Sequence, residues 1–235
     1  MLGGAELIIK GNRRELEIRA ASLLVSSFNE TLSRKQQVCF GVVGGRSVGT
    51  ILDLLRYESV DWERVHLFMI DERLVEIDHP DSNYRLVYSH VAPYMVPANL
   101  HPFVFRPGEE QAALAEYRQE LEKVGGHLDV LLLSSGEDGH IASLFPEHET
   151  VDSQDDFFFV TASAPKPPPE RMSASPKLLS RASTAVLLFL GGNKQQSFNN
   201  FIDDSMPLRK CPAKIARTID SHFILTDSNG GVRET

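Results

Sequence analysis

The sequence VCFGVVGGRSVGTILDLLRY, residues 38–57, decides the fold because it passes from a strand into a helix through two glycines. Val38–Val43 is an unbroken apolar run, which is typical of a strand buried on both faces. Gly44 and Gly45 end that strand, and apolar residues then recur at helical spacing over Ser47–Tyr57. A strand that leads directly into a helix is the building unit of a parallel βαβ fold.

The same alternation extends in both directions along the chain. Upstream, the patterns predict a strand at Glu6–Lys10 and a long amphipathic helix at Asn12–Gln36. Downstream, they predict strands at Val65–Ile70, Leu128–Leu133, Thr184–Leu190 and His222–Thr226, and helices at Asn83–Val91, Glu109–Val124 and Gly192–Asp203. We therefore predict a Rossmann-like α/β fold, a doubly wound and mostly parallel sheet with helices on both faces. Residues 1–226 are expected to form one domain, and the polar residues 227–235 a frayed tail.

Composition and charge limit the possible functions. The longest apolar runs are too short to cross a bilayer, so we expect no membrane association. The formal net charge of −8 disfavours a nucleic-acid partner, and any phosphate must be bound by local N–H groups and a few cations. Cys39 and Cys211 are the two cysteines. They form neither a disulfide framework nor a zinc-binding spacing, so we expect a reducing, cytoplasmic location and no metal.

Four loops carry the candidate functional residues, and the first of them follows the strand at residues 38–43. Gly44 and Gly45 let a ligand approach the backbone closely, and the following helix presents its free N–H groups to an anion. Arg46 and Ser47 complete this candidate phosphate site. A plain tight turn with Ser47 as the N-cap of the helix explains the same residues equally well.

A second interpretation makes the first loop a nucleophile elbow. Gly45–Gly49 matches the G-x-S-x-G pattern of α/β-hydrolases, with Ser47 as the candidate nucleophile. However, few strands precede it, and no HGG-like segment supplies an oxyanion loop. Asp138 and His140 lie two positions apart on one loop, so we expect their side chains to point in different directions rather than to form a relay.

The second loop is a polar segment that follows the strand at residues 65–70. Arg73 can pair with a phosphate in a fork geometry, and Asp71 can hold a sugar hydroxyl or fix a neighbouring cation. For Glu72, Asp78 and Arg85 we favour an internal salt-bridge cluster that orders the loop.

The third loop, Ser135–Pro146, has the sharpest pattern, SGEDGHIASLFP. Its glycines permit an exposed turn at the carboxyl end of a buried strand, where ligands bind in such sheets. Histidine is the natural general base near neutral pH, so we predict that His140 is catalytic. The carboxylate of Asp138 can either orient His140 or cap the loop.

The fourth region supplies cations. Lys166 and Arg171 lie in and beside the proline run APKPPP, and Lys194 ends the segment GGNK at the start of a predicted helix. A helix N-terminus with nearby cations repeats the arrangement expected at the first loop.

In this order, the segments GGR-S, DER-x-V with DHPDSNYR, EDGHIASLFP, PKPPPER and GGNK resemble those of the 6-phosphogluconolactonases, in the glucosamine/galactosamine-6-phosphate isomerase superfamily. The resemblance covers roughly residues 40–200, and Ala142–Pro146 resembles the lactonases rather than the deaminases of the same group. It implies hydrolysis of 6-phospho-D-glucono-1,5-lactone to 6-phosphogluconate, in the oxidative pentose phosphate pathway, without a required cofactor. A small sugar phosphate is then the expected partner.

The resemblance also implies roles for individual residues. His140 matches the general base, and the positions that line the phosphate site match Gly44, Gly45, Ser47, Arg73 and Lys194, with Arg171 as their neighbour. A serine hydrolase that uses Ser47, a sugar-phosphate sensor without turnover and a deaminase remain alternatives. We expect a monomer or a weak homodimer.

Overall fold

The computed structural model describes residues 7–228, with the exception of the Arg46 side chain. Its strands are β1 (Leu7–Lys10), β2 (Val38–Val42), β3 (Val65–Met69), β4 (Asp71–Arg73), β5 (Leu100–His101), β6 (Val130–Ser134), β7 (Phe158–Thr161), β8 (Arg171–Ala174), β9 (Thr184–Phe189) and β10 (Ser221–Thr226). Its α-helices are α1 (Arg13–Leu32), α2 (Arg46–Leu55), α3 (Asn83–Val91), α4 (Glu110–Lys123), α5 (Pro176–Ser180) and α6 (Gln195–Ile202). Each predicted strand and helix is present, with ends that differ by up to four residues, and Glu6 of the predicted first strand lies outside the described residues.

One parallel sheet dominates the fold, with the strand order β1-β10-β9-β6-β2-β3-β5. From β2 the chain moves outward through β3 to β5, then returns to β6 on the other side of β2 and continues to β9 and β10. With right-handed crossovers, α1, α2 and α3 cover one face and α4, α5 and α6 the other. The predicted doubly wound fold is confirmed. Its strand order reverses between β2 and β6, where such a sheet opens a crevice at the carboxyl ends of its strands.

The first helix ends earlier than the sequence pattern predicts. The apolar spacing indicated a helix up to Gln36, whereas α1 ends at Leu32. The Arg64 guanidinium donates hydrogen bonds to the carbonyl oxygens of Leu32 (3.1 Å), Lys35 (2.6 Å) and Gln36 (2.6 Å). Arg64, a residue far along the chain, therefore caps the end of α1 and holds the segment that follows it. Local apolar periodicity does not reveal such a contact.

A second, antiparallel sheet with the order β4-β8-β7 was not predicted from the sequence. Its first strand continues from β3 through Ile70, whose carbonyl oxygen accepts the Ala174 N–H at 2.7 Å. The polar sequence of Asp71–Arg73, interpreted above as loop, shows no apolar alternation that could indicate a strand. This small sheet stands at the carboxyl end of β3, beside the crevice of the large sheet.

A histidine is buried at the β5 edge of the large sheet. The ring of His101 stacks on Phe68, with 4.2 Å between ring centroids, and its Nε2 lies 3.0 Å from His66 Nδ1. Burial, followed by the charge of His66, lowers the pKa of His101 to about 4 from 6.5, against the opposing charge of Glu120. His101 therefore stays neutral in the folded protein at pH values where an exposed histidine is protonated.

We expect this histidine to make the fold acid-labile. Between pH 6.5 and about 4 the unfolded chain binds a proton on His101 that the folded chain does not, so the free energy of unfolding falls as pH falls. At pH 4.5 the expected loss is roughly 2 to 3 kcal/mol from this group. Urea unfolding at pH 7 and pH 4.5 measures it, and His101→Gln should lose less stability on acidification by that amount. Equal losses in the two proteins would contradict this account.

No helix within residues 7–228 is both long enough and apolar enough to span a bilayer.

Candidate active site

A cleft of about 650 Å³ opens at the carboxyl ends of β2, β6 and β9. It lies beside the point between β2 and β6 where the strand order reverses. The sequence-predicted residues that line it are Gly44, Gly45, Ser47, Asp71, Arg73, His140, Lys166, Arg171 and Lys194. Asp138 contacts His140 at the edge of the cleft, and the Arg46 side chain lies outside the described part of the structure. Loops that are far apart in sequence thus meet in one cleft. This agrees with the rule that ligand-binding residues follow the carboxyl ends of parallel strands.

His140 and Asp138 form a hydrogen-bonded pair. His140 Nδ1 lies 2.5 Å from Asp138 Oδ1, and the same oxygen accepts the His140 backbone N–H at 3.3 Å. The expectation that these side chains diverge is wrong, because Gly136 N–H donates to His140 O at 2.8 Å and folds the turn back on itself. A carboxylate at Nδ1 holds the ring proton there and leaves Nε2 as the basic nitrogen.

The turn that carries this pair depends on its glycines. A Cβ at Gly136 would lie 2.0 Å from His140 Nδ1 and 2.6 Å from Asp138 Oδ1, so a side chain at this position would displace the imidazole. Gly139 has a φ of +91°, in the region that favours glycine, and its carbonyl oxygen accepts the Ala213 N–H at 2.9 Å. The turn is therefore fixed both by its own backbone and by the segment before β10.

Asp138 also contacts a cation from the proline-rich loop. Its Oδ2 lies 3.1 Å from Lys166 Nζ, so the two carboxylate oxygens have different partners. Burial raises the pKa of Asp138, but the hydrogen bonds from His140 and Lys166 and the charge of His140 outweigh burial and hold that pKa well below its usual range. Asp138 is therefore an anion at every pH where the protein is expected to work.

The small sheet places two arginines side by side. Side chains alternate along β4, so Asp71 and Arg73 share one face and Glu72 lies on the other. In the antiparallel register Arg73 is opposite Arg171 and Asp71 is opposite Ser173. Like charges directly opposite each other destabilise a sheet unless an anion offsets them, so this arrangement suits an anionic ligand.

Both guanidinium groups line the cleft. Arg73 donates to the carbonyl oxygen of Asp81 at 2.5 Å, while its buried Nε has no hydrogen-bond partner among the described residues. Arg171 is buried, and burial lowers its pKa, against the opposing charge of Asp71. An anion in the cleft would satisfy the remaining donors of these groups.

Asp71 is a buried carboxylate that faces the cleft. Burial raises its pKa although Arg73 and Arg171 lie close by, and its Oδ1 has no hydrogen-bond partner within residues 7–228. A buried acceptor without a donor is costly, so this oxygen is suited to a hydroxyl group of a ligand.

Glu72 points away from the cleft and holds the N-terminus of α3. Its carboxylate accepts the N–H groups of Asn83 and Tyr84, each at 2.7 Å, and the Ser82 hydroxyl at 3.1 Å. The expected structural role of Glu72 is therefore present, but its partners are N–H and hydroxyl groups at the start of α3 rather than the cations of a salt bridge. The N-terminus of a helix also favours a carboxylate.

The first loop packs against the same helix. A Cβ at Gly44 would lie 2.0 Å from Asn83 Oδ1, whereas the space beside Gly45, with its φ of +126°, is open. Gly45 is the N-cap of α2 and Ser47 lies within the first turn, so the alternative of Ser47 as the N-cap is wrong. The first N–H groups of α2 have no acceptor within the helix and lie beside the cleft. No hydrogen bond joins Ser47 to His140 in the described structure.

The fourth loop begins at Gly191 and leads into α6. A single 3₁₀ turn precedes this helix, which starts at Gln195 rather than at Gly192. Lys194 ends that turn and lines the cleft, and burial lowers its pKa, against the opposing charge of Glu137.

Two residues of the predicted tail form hydrogen bonds, one with this loop and one with β10. The Asp227 carboxylate accepts the Gly191 N–H at 2.9 and 3.0 Å, and Ser228 N–H donates to Thr226 Oγ1 at 3.0 Å. Residues 229–235 lie outside the described part of the chain.

One cation of the cleft, Arg13 in the first turn of α1, was not predicted from the sequence. Its Nε donates to Glu17 at 2.8 Å. The local sequence NRRE is that of an ordinary helix start and does not mark Arg13 as a ligand-binding residue. Arg13 reaches the cleft because of the position of β1 in the parallel sheet, and that position was not predicted. No cluster of three or more His, Cys, Asp or Glu residues suited to a metal ion occurs within residues 7–228.

The chain is similar to known proteins over most of its length. The profile of a family described as glucosamine-6-phosphate isomerases/6-phosphogluconolactonase matches residues 11–224. A 6-phosphogluconolactonase of Borreliella burgdorferi is 32% identical over 206 residues, covering 85% of this chain and 88% of that protein.

The crystal structure of a 6-phosphogluconolactonase from Thermotoga maritima matches with a TM-score of 0.79 at 20% identity, covering 94% of this chain and 100% of the other. A monomeric glucosamine-6-phosphate deaminase matches with a TM-score of 0.78 at 16% identity, covering 93% and 96%. The two structural likenesses show the fold alone.

Proposed function

The chain belongs to the family of glucosamine-6-phosphate isomerases and 6-phosphogluconolactonases, and from this premise we propose that it hydrolyses 6-phospho-D-glucono-1,5-lactone to 6-phosphogluconate. The curated lactonase at 32% identity supports this reaction over deamination. The product would enter the oxidative pentose phosphate pathway. A cytoplasmic location, a monomer or weak homodimer and independence of cofactors stay predictions.

The observation that carries the proposal is that one cleft contains both a carboxylate-paired histidine and a group of cations. A lactone is a cyclic ester, reactive enough for direct attack by water without a covalent intermediate. In the proposed mechanism His140 Nε2 accepts a proton from that water, while Asp138 stabilises the imidazolium that forms. General-base catalysis of this kind accelerates a reaction by about 10² to 10⁴.

The cations of the cleft would bind the phosphate of the substrate. Arg73, Arg171 and Lys194 come from three different segments, and the first turn of α2 adds free N–H groups. Binding energy from this remote group would hold the lactone carbonyl against the water that His140 activates. The free oxygen of Asp71 would accept a hydrogen bond from a sugar hydroxyl.

The serine-hydrolase alternative has less support. A serine nucleophile requires a hydrogen bond from its hydroxyl to the base, and the described structure has none between Ser47 and His140. A monomeric deaminase shares this fold, and a sensor could bind a sugar phosphate through the same cations, so these alternatives are separated by assay.

The test is turnover of freshly generated 6-phosphogluconolactone, with spontaneous hydrolysis subtracted. We expect rapid acid release from the lactone, no ammonia from glucosamine 6-phosphate and no covalent labelling of Ser47 by a fluorophosphonate. Phosphate-dependent binding without turnover would identify a sensor instead, and ammonia release would identify a deaminase.

Ser47→Ala separates phosphate binding from catalysis. The loss of one hydrogen bond to a charged group should raise KM about 10-fold, while kcat changes little. Steady-state kinetics measure both, and Thr50→Ala, an exposed substitution on the same helix, is the control. A fall in kcat with KM unchanged would instead favour Ser47 as a nucleophile.

A further inference from the structure

Three side chains at the edge of the cleft form a chain of charged contacts. Lys166 Nζ lies 3.1 Å from Asp138 Oδ2, and Asp138 Oδ1 lies 2.5 Å from His140 Nδ1. The carboxylate thus bridges an ammonium group and the imidazole, one oxygen to each. Lys166 belongs to the loop between β7 and β8, whereas the other two residues follow β6.

The backbone that carries Lys166 is held in place from β8. The Arg171 guanidinium donates to the carbonyl oxygens of Lys166 (3.2 Å), Pro167 (3.3 Å) and Pro168 (3.0 Å). Arg171 is itself buried, so these bonds form in a partly water-excluded setting, where hydrogen bonds to a charged group are strong. Lys166 is therefore presented to Asp138 by an anchored segment, unlike a lysine on a free surface loop.

We propose that Lys166 is a positioning residue for the base, acting through Asp138 to orient His140 and to limit the stabilisation of its protonated form; this rests on the proposed function. With Oδ2 occupied by the ammonium group, the carboxylate cannot rotate away from the imidazole without losing an ion pair. The ammonium charge also offsets part of the carboxylate charge, which by itself favours the imidazolium. An imidazolium cannot accept a proton from water, so this offset favours the form of His140 that can act as the base.

The other charged groups around the chain do not replace Lys166. Glu137 lies 4.0 Å from Lys166 Nζ and adds negative charge on that side. Lys194, Arg171 and Asp71 line the same cleft, but Lys166 is the residue that forms an ion pair with Asp138 in the described structure. Removing its ammonium should therefore leave the carboxylate charge acting on His140 with less compensation.

A phosphate contact is the competing role for Lys166, because its side chain also lines the cleft. The two roles predict different kinetics. A phosphate ligand would change KM and leave the pH dependence of kcat unaltered. A positioning residue would move the acidic limb of the kcat profile and leave KM nearly unchanged.

The experiment compares Lys166→Met with Lys166→Arg, and uses Lys177→Met, at an exposed lysine of α5, as the matched control. The first readout is the pH titration of the His140 ring by NMR in the unliganded protein, with its resonances identified by their absence in His140→Ala. In Lys166→Met we expect the titration midpoint to rise by roughly 0.5 to 1 pH unit, and no shift in the other two variants. The second readout is the kcat profile, whose acidic limb should rise by the same amount.

An unchanged His140 titration in a folded Lys166→Met variant would overturn the inference, as would a KM effect with an unaltered profile. Failure of arginine to restore the wild-type titration would also overturn it, since a guanidinium group can keep the ion pair. The NMR readout needs no turnover. If the wild type does not hydrolyse the lactone but the titration shifts, the proposed function fails while the Lys166–Asp138–His140 coupling stands.

Discussion

Replacement of His140 by alanine is expected to lower kcat for lactone hydrolysis by about 10² to 10⁴, with little change in KM. The imidazole is the basic group that the structure holds in the cleft by a carboxylate, at 2.5 Å between Nδ1 and Asp138 Oδ1. The phosphate contacts lie elsewhere in the cleft, so substrate binding should survive. The measurement is hydrolysis of freshly generated lactone by wild type and variant, after subtraction of the spontaneous rate.

His127→Ala is the matched control, because His127 lies near the amino end of β6, beside Asp129. It should retain wild-type turnover. If His140→Ala is as active as the wild type, the proposed base is wrong, and another group in the cleft must activate the water.

A single methyl group at position 136 is expected to lower kcat by about 100-fold. In Gly136→Ala the new Cβ would lie 2.0 Å from His140 Nδ1 and 2.1 Å from its Cε1, so the ring must move. Displacement of a catalytic group by about 1 Å can cost this much. The fold should lose only about 1 to 3 kcal/mol, since the turn lies at a loop and the ring can relax toward the cleft.

Gly11→Ala provides the comparison, because its Cβ would meet only the movable Glu15 carboxylate, at 3.2 Å, and ordinary contacts with Leu16. Thermal unfolding and kcat are measured for both variants. Wild-type kcat in Gly136→Ala would show that the observed position of the ring is not needed for turnover.

The sequence was sufficient to predict the central sheet and most of the cleft. Buried parallel strands such as β2 and β9 are continuous apolar runs, and ligand-binding residues follow their carboxyl ends. Those two regularities predict that Gly44, Arg73, His140 and Lys194 lie at one edge of the sheet.

What the sequence could not predict depends on contacts between distant residues. The pairing of Arg73 with Arg171 follows from the register of two short polar strands without apolar alternation. The closeness of Asp138 and His140 depends on a backbone hydrogen bond from Gly136, so spacing alone gave the wrong orientation. Arg13 lines the cleft only because β1 joins the same parallel sheet.

The pairing of β1 with β10 has a consequence for how the protein is made. Leu7 pairs with Phe223, and β10 is the neighbour of β1 in the sheet. During synthesis the first strand therefore leaves the ribosome long before its hydrogen-bonding partner exists, and such long-range pairing is slow to form. Arg13 follows β1, and Asp227, which holds the Gly191 loop, follows β10. A nascent chain should thus complete its central strands first and gain a finished cleft only after β10 has emerged.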